Sequence, residues 1–457
     1  MWSEDLARRP LIALTVAYIG GLCVGLSPWA WVAVVFSLVL TRNWGVRALA
    51  VGLALVGFVQ APRPPIYRTA AFSAIADTLE VRSVPQPRKE GYFTKVEVRG
   101  QKLLWFSPYE KTSEEIFLGD RWFVRGRIGP PPEQAKFRFE EGFVTTVQRA
   151  EKVSAGPRIA QLSTQMNRHF TALALELLPE REARWVNAIC FNADYHLHPF
   201  DTEILGRTGL IHIVSTSGMH VLLVSGALAL LLKGVPVPRS VQLAVLFTLL
   251  SVYALAAGLN PPIIRSVLMA MFFAPAYLFE RESDALSTLC ASAIFTLLVL
   301  PNSVYDVGFQ MSFSTVLALA LFVRAPGTTR RQWKEALSTS TRSSVVAALG
   351  VAPWLLHYLG RLSLISPVST LTSAPLVPLI AISALGFGAV APLVPNVAAV
   401  GYTWVVLPAT RALIWLTETL AALPFASFET FRLPGMAALG LTAAMLVFWR
   451  AERRPAS

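Results

Sequence analysis

Ionisable and hydroxyl side chains interrupt the apolar sequence between residues 186 and 226. A charge inside a membrane costs roughly 2.5–3.5 kcal/mol on insertion scales, so such residues usually face a polar cavity or a partner. The tetrapeptide STSG at 215–218 breaks the run, and irregular backbone at membrane depth is tolerated where it lines water or is buried by protein. We therefore predict a polar path here, with placement at the membrane surface as the alternative. The candidate path residues are Asp194, Arg207, His212, Ser215, Ser217, Gly218 and His220.

Three later segments carry polar residues at breaks or ends of apolar runs. Helices broken by proline line the substrate paths of many transporters. Each segment alone fits an interfacial cap, but together they favour a path. NPPIIRS (260–266) contains Arg265, YDVGFQMSFS (305–314) contains Asp306, Gln310 and Ser312, and HYLGRLSLISP (357–367) contains Arg361.

Catalytic interpretations of these residues are weaker. HLHPFD (196–201) follows part of the H-x-H-x-D-H pattern of metallo-hydrolases, but the final His is missing and the Asp is one position out of register. Ser217 close to His212 and His220 raises an intramembrane serine hydrolase, for which the sequence shows only proximity along the chain. We expect no metal, no cofactor and no enzyme activity. The serine hydrolase and a small-solute permease remain the alternatives to a path for a polyanion.

The composition requires a membrane around these elements. Of the 457 residues, 54% belong to the AVILMFWYC class and 15% are charged, against about 25% charged in soluble proteins. These values exclude an ordinary soluble enzyme, a disordered chain and a disulfide scaffold. The net charge of +12 fits either cytoplasmic loop charge or a polyanionic partner.

Residues 63–153 have a different pattern from the rest of the chain. Apolar and polar residues alternate there between Gly and Pro breaks, which predicts a small barrel of about five strands with an OB-like fold. Aromatic and basic residues are interleaved, as in proteins that hold single strands by base stacking and phosphate attraction. The alternative is a barrel core alternating with a solvated face. The candidate DNA-binding residues are Trp105, Arg121, Trp122, Arg125 and Arg127.

The fold class is therefore a polytopic α-helical membrane protein of about 12 crossings with a small extracytoplasmic OB-like β-barrel domain. Lys and Arg in short loops place both termini in the cytoplasm and the barrel outside. The predicted regions are 1–62 (N-terminal transmembrane helices), 63–153 (the barrel), 154–206 (amphipathic helices lying at the membrane surface), 207–449 (the main transmembrane domain) and 450–457 (a cytoplasmic tail).

Four segments, in order, resemble the ComEC-type competence protein family, the bacterial DNA-internalisation channels. The resemblance covers nearly the whole chain, and it implies import of single-stranded DNA across the cytoplasmic (inner) membrane during natural transformation. Residues 207–449 would then form the channel domain. The four motif segments are TGLIHIVSTSGMHVLLVSG (208–226), NPPIIRSVLMA (260–270), PNSVYDVGFQMSFSTVLALAL (301–321) and SSVVAALGVAPWLLHYLGRLSLISPVSTLTSAPLVPL (343–379).

The same resemblance implies partners and site residues. Besides single-stranded DNA and membrane lipid, it implies a cytoplasmic motor, helicase or strand-binding protein, an extracytoplasmic DNA receptor and a homodimer. Many family members continue into a metallo-β-lactamase-like domain, and none is expected within this sequence, so we expect no nuclease activity. The motifs of the family fall on His212, Ser217, Gly218, His220, Arg265, Asp306, Phe309, Gln310, Ser312 and Arg361.

Overall fold

A computed structural model of the protein combines a β-barrel with apolar helices that precede and follow it in the chain. The predicted cytoplasmic tail, 450–457, lies outside the part of the chain that the structure describes. The described residues are 10–23, 44–60, 73–88, 91–99, 101–108, 115–130, 142–191, 193, 197–211, 224–226, 228, 232, 236–260, 263–264, 266–271, 285–299, 301, 303, 307–322, 332–358, 360–424 and 426–429.

The chain begins with two apolar helices, α1 (Pro10–Cys23) and α2 (Trp44–Gln60), which pack against each other. A later apolar helix, α7 (Ala285–Val299), packs on α1. The hydroxyl of Tyr18 is buried and donates a hydrogen bond to the carbonyl of Leu297, at 2.9 Å. This bond ties the N-terminal helices to the second half of the chain, because a buried hydroxyl without a partner would be costly.

Residues 73–154 form a barrel. Its strands are β1 (Ser73–Val81), β2 (Gln86–Arg88), β3 (Gly91–Val98), β4 (Gln101–Pro108), β5 (Arg121–Gly129) and β6 (Gly142–Ser154). The sheet order is β1-β5-β6-β4-β3, and pairing of β1 with β3 closes the ring, while β2 pairs only at the edge of β3. All pairings are antiparallel except the parallel pair β4–β6. The predicted small barrel of about five strands is confirmed.

Two of the residues predicted to bind DNA lie in the barrel core, so the prediction is wrong for them. Trp105 and Trp122 lie inside the barrel with exposed fractions of 0% and 1%, and their ring centroids are 6.0 Å apart. Neither ring is at the surface, so neither can stack on a base in this fold. The physical reason is size, because a large apolar ring gains most when it fills the interior of a small barrel.

A buried carboxylate holds the barrel against the next helix, α3 (Arg158–Leu177). Asp120 is fully buried, and its two oxygens accept hydrogen bonds from the backbone N–H groups of Gly156 (2.8 Å) and Phe117 (2.9 Å). Lys152 neutralises it at 3.1 Å. The N–H of Leu118 donates to the hydroxyl of Thr164 on α3. The turn that carries Asp120 is therefore fixed to both β6 and α3.

Helix α3 turns a polar face inward. Asn167 is buried and donates through its amide to the carbonyls of Phe191 (2.9 Å) and Ala256 (2.8 Å), at the last residues of α4 (Glu180–Phe191) and α6 (Arg239–Ala256). The last carbonyls of a helix have no partner within it, so side-chain donors from α3 satisfy them. The apolar residues on the other face are exposed instead: Ile159 by 60%, Leu162 by 48% and Leu175 by 45%.

Three helical stretches of the described chain are long and apolar enough to cross a membrane: α6, residues Ser366–Val390 and residues Pro395–Ala421. Shorter apolar helices cover Leu286–Leu298 and Gly308–Phe322. The protein is therefore a membrane protein with a barrel domain. The number of about 12 crossings stays a prediction.

The remaining elements assemble around these stretches. Residues Pro395–Ala421 contain a π-helical turn at Tyr402–Val406, just before Pro408. Proline has no N–H to donate and clashes with the carbonyl four residues earlier, so the wider turn relieves the backbone at this point. The further elements are α5 (Pro199–Arg207), α8 (Val307–Phe322), α9 (Gln332–Tyr358), β7 (Arg361–Ser363), α10 (Ser366–Ser373), α11 (Leu376–Val390), α12 (Pro395–Gly401), α13 (Leu407–Ala421) and β8 (Ser427–Glu429).

Candidate polyanion path and barrel surface

The structure describes four of the predicted path residues: Arg207, Gln310, Ser312 and Arg361. Ser312 is half-buried on α8. The other predicted path residues lie outside the described residues: Asp194, His212, Ser215, Ser217, Gly218, His220, Arg265 and Asp306.

The start of the first motif segment lies against the fourth. The hydroxyl of Ser363 donates to the carbonyl of Arg207 at 2.9 Å, and that of Ser369 donates to the carbonyl of Thr208 at 2.7 Å. Gly209 has a φ of +72°, and a Cβ added there would lie 2.7 Å from the Cβ of Ser366. Two segments about 150 residues apart in sequence thus form one junction, which we call the serine junction (207–209 with 363–369).

Sequence reasoning missed the serines of this junction. In the fourth motif segment it selected the charged Arg361, whereas the contacts are hydroxyl to carbonyl. A signal was present, because Ser363, Ser366 and Ser369 recur every three residues. On α10, residues three apart share a face, so Ser366 and Ser369 meet the same partner.

Arg361 does not present an isolated cation. Its Nη1 lies 3.0 Å from Oε1 of Glu203 on α5, and the arginine side chain is 21% exposed. Arg207, in the last turn of the same helix, is exposed. A cation at a helix C-terminus also interacts favourably with the helix dipole. Both arginines therefore have a structural role at the end of α5, and a role towards phosphate is an additional proposal.

The third motif segment packs against the fourth through α8 and α9. Gln310 accepts a hydrogen bond from the hydroxyl of Tyr358 at 2.7 Å, and the indole N–H of Trp354 donates to the hydroxyl of Ser314 at 2.7 Å. Gly350 allows close packing, because a Cβ there would lie 2.8 Å from the Cβ of Ala318. The fourth motif segment thus contacts both the first and the third.

An ion cluster around the buried Asp201, in the first turn of α5, was not predicted. The Nη2 of Arg181 lies 2.6 Å from Oδ1 of Asp201 and 2.7 Å from Oε1 of Glu418, which joins α4, α5 and α13. Asp201 is only 2% exposed. Its hydrogen bond raises the pKa of Arg181, with Glu418 adding to the effect, so this guanidinium stays charged. The cluster fixes the first turn of α5, the helix that leads into the first motif segment.

Two residues of HLHPFD have structural partners rather than a metal-like arrangement. Nδ1 of His198 accepts from the N–H of Phe200 at the N-cap of α5, and Asp201 belongs to the ion cluster. Within the described part of the chain, no group of three or more His, Cys, Asp or Glu side chains is placed to hold a metal ion.

The basic candidates on the barrel keep surface positions. Arg121, Arg125 and Arg127 alternate along β5 and are exposed. Arg121 lies 3.5 Å from Glu80, so its charge is partly compensated. Arg125 stands directly opposite Arg149 of β6, and like charges in that position repel. Arg149 is itself paired with Glu151, so the outer face of β5 and β6 carries exposed guanidinium groups whose charge is partly compensated.

Cys190, on α4, is fully buried, and burial raises the pKa of its thiol. Because the thiolate is the reactive species, we expect no detectable labelling of Cys190 by a maleimide at neutral pH in the folded protein. Mass spectrometry of a variant that retains only this cysteine, before and after denaturation, measures it. The half-exposed Cys290 in a matching single-cysteine variant is the comparison. Labelling of native Cys190 at the denatured rate would contradict the buried placement.

Comparison with known proteins decides the family. A family model described as competence protein matches residues 189–455, which is more than half of the chain. The chain belongs to the competence protein family. Membership confirms the resemblance seen in the four motif segments. The matched region of this competence-family chain includes the serine junction, helices α8 and α9, and two residues of the ion cluster, Asp201 and Glu418.

The competence-family chain has several curated relatives. It is 26% identical to competence protein ComA of Neisseria gonorrhoeae over 77% of this chain and 53% of that protein. It is 26% identical to ComE operon protein 3 of Bacillus subtilis (strain 168) over 46% of this chain and 26% of that protein. An uncharacterized protein of Aquifex aeolicus (strain VF5) is 29% identical over 38% of this chain and 39% of that protein. The chain therefore spans about half the length, or less, of the relatives it matches. No solved structure matches.

Proposed function

We propose that this protein is the membrane channel through which single-stranded DNA enters the cytoplasm during natural transformation. The match of the competence family model to residues 189–455 carries the proposal. Two relatives named for competence add support. The combination of apolar spanning helices with a barrel is what a transporter with a binding domain requires.

We place the path beside the serine junction. The first motif segment enters this region from α5, and the fourth holds its start by two serine hydroxyls. Arg207 and Arg361 lie at the same helix end, so a phosphate passing there would meet two guanidinium groups within a polar surrounding. Gln310 and Ser312 extend the polar positions onto α8.

The barrel would capture the strand on the extracytoplasmic side. Numbered by their order in the chain, the closed strands β1, β3, β4, β5 and β6 follow one another around the ring as 1-2-3-5-4, and strands 3 and 5 are parallel. This order supports the OB-like interpretation, and OB-folds bind oligonucleotides on the face of strands 2 and 3. Three exposed arginines on β5, which pairs with β1 and β6, add phosphate attraction elsewhere on the barrel surface.

Import needs an energy source outside the described path. DNA brings one negative charge per nucleotide, and an interior-negative potential opposes each charge by roughly 2.3 kcal/mol per 100 mV across the whole field. We therefore propose a cytoplasmic motor, helicase or strand-binding protein that pulls the strand. A DNA receptor on the outer side would deliver it.

Deletion of the coding sequence in the native host tests the proposal. We expect transformants to fall to the background of a no-DNA control, because the strand cannot cross the cytoplasmic membrane. Uptake of labelled DNA into a nuclease-protected state outside the cytoplasm should stay at the wild-type level. Complementation in trans should restore transformants, and transformation at full frequency in the deletion strain would refute the channel.

A further inference from the structure

The outer face of β3, β4 and β6 carries aromatic rings in neighbouring positions. Leu103 and Trp105 point into the barrel core, so Leu104 and Phe106 point outward from β4. By the same alternation, Phe93 points outward from β3, since Val96 and Val98 are core residues, and Phe143 points outward from β6 beside the core residue Val144. Phe93 pairs with Phe106, and Leu104 pairs with Phe143. We call Phe93, Phe106 and Phe143 the phenylalanine platform.

The platform is a continuous apolar surface outside the core. The ring centroids of Phe93 and Phe143 are 6.3 Å apart, although their strands lie on opposite sides of β4. Leu104 sits between them in the register and is 0% exposed although it points away from the core. The three phenylalanines themselves remain partly exposed. Large apolar rings kept at a surface in this way mark a binding face.

One cationic side chain lies within the platform, and another lies on the strand beside it. On β3, Lys95 pairs with Leu104 at the platform centre. On β5, Arg127 is exposed and stands two residues from Gly129, which pairs with Phe143. Among the described residues of this face, Glu97 lies two residues from Lys95 on β3 and is paired with Arg82. On β1, Asp77 pairs with Arg99 and Glu80 pairs with Arg82. A ligand of this face has flat apolar groups linked to negative charge.

We infer that the phenylalanine platform stacks the bases of a single DNA strand while Arg127 and Lys95 hold its phosphates. The inference rests on the proposed function and specifies how the barrel captures the strand. A base in a single strand exposes its π-face, whereas a base in a duplex is already stacked on its neighbours. Stacking would make binding depend on bases without depending on their sequence.

Two probes of equal length separate stacking from charge: an oligothymidine and an abasic phosphodeoxyribose strand. The full-length protein in lipid nanodiscs is titrated with each by fluorescence anisotropy. We expect wild-type protein to prefer the oligothymidine by about tenfold or more. Phe106→Leu and Phe93→Leu keep an apolar side chain but remove the π-face, so each should lose most of that preference while binding the abasic strand unchanged. Phe200→Leu, at an exposed phenylalanine of α5, is the control.

Charge is tested separately with Arg127→Gln and Lys95→Gln. Each substitution should lower the affinity for both probes by the same factor. It should also reduce the magnitude of the slope of log affinity against log salt concentration by about 0.7, because one phosphate contact is lost. Thermal unfolding of every variant, expected at the wild-type midpoint, shows that the barrel is intact.

Equal affinity of the wild-type protein for the two probes would overturn the inference that the phenylalanine platform stacks bases. An unchanged preference for oligothymidine in both phenylalanine variants would overturn it as well. DNA import would then stand or fall on the deletion experiment alone. Equal binding of a DNA duplex would also overturn it, since duplex bases offer no free face. Failure of the wild-type protein to bind either probe at low salt would remove the barrel as a DNA site.

Discussion

Gly209→Ala is expected to lower transformation by about a hundredfold, because a side chain at this position opposes both the local backbone and the packing of the serine junction. The φ of +72° costs an L-residue roughly 1–2 kcal/mol. The new Cβ would also lie 2.7 Å from the Cβ of Ser366 and 3.0 Å from that of Ser363, and such overpacking costs about 1–3 kcal/mol. The first motif segment would move away from the fourth.

The measurement is transformation frequency in the native host, with an immunoblot of the membrane fraction to show that the protein level is retained. Gly226→Ala is the matched control, because Gly226 lies in the same motif segment and a Cβ there meets nothing within 4 Å. Transformation at the wild-type level in Gly209→Ala, with the protein present, would show that the junction is not required for import.

Asp201→Ala is expected to destabilise the protein by about 1.5–3 kcal/mol, the range for hydrogen bonds to charged groups. The aspartate is buried, and it accepts from both Nε (3.1 Å) and Nη2 (2.6 Å) of Arg181. Its loss leaves that guanidinium with Glu418 and solvent, since Arg181 is 42% exposed. We therefore expect less than the full cost of an isolated buried charge.

Thermal unfolding of the purified protein in detergent, followed by tryptophan fluorescence, measures this effect. Arg411→Gln is the control, because Arg411 joins the same helices α4 and α13 through Glu182 at 2.8 Å but is 60% exposed. Exposed pairs contribute about 0–1 kcal/mol. If the two variants unfold at the same temperature, the ion cluster around Asp201 does not fix the first turn of α5.

The candidate site was predictable in part. The four motif segments led to the correct family, because their residues and order are specific. The sequence also pointed to Arg361 and Gln310, which the structure places in contacts with α5 and α9. It could not show the pairing of Arg181 with Asp201 and Glu418, since partners up to 237 residues apart leave no local pattern.

The limit of prediction from the sequence is clearest at strand β4 of the barrel. Period-2 alternation predicts a strand, but Leu103, Leu104, Trp105 and Phe106 are all apolar, so the pattern does not say which side faces inward. Closure of the ring decided it, placing Trp105 in the core and Phe106 outside. The choice of Trp105 as a surface residue failed for this reason, whereas Trp122 lies on β5, on the face opposite Arg121 and Arg125.

The amino-acid sequence by itself determined the membrane environment, the small barrel and the family, because these follow from composition, local period and short specific motifs. Tertiary structure alone decided which rings line the barrel, which face of α3 is buried and which serines hold the first motif segment. Those outcomes depend on the volume of the barrel interior and on the carbonyl groups that have no partner at the ends of helices distant in sequence. Both are defined only once the chain has folded.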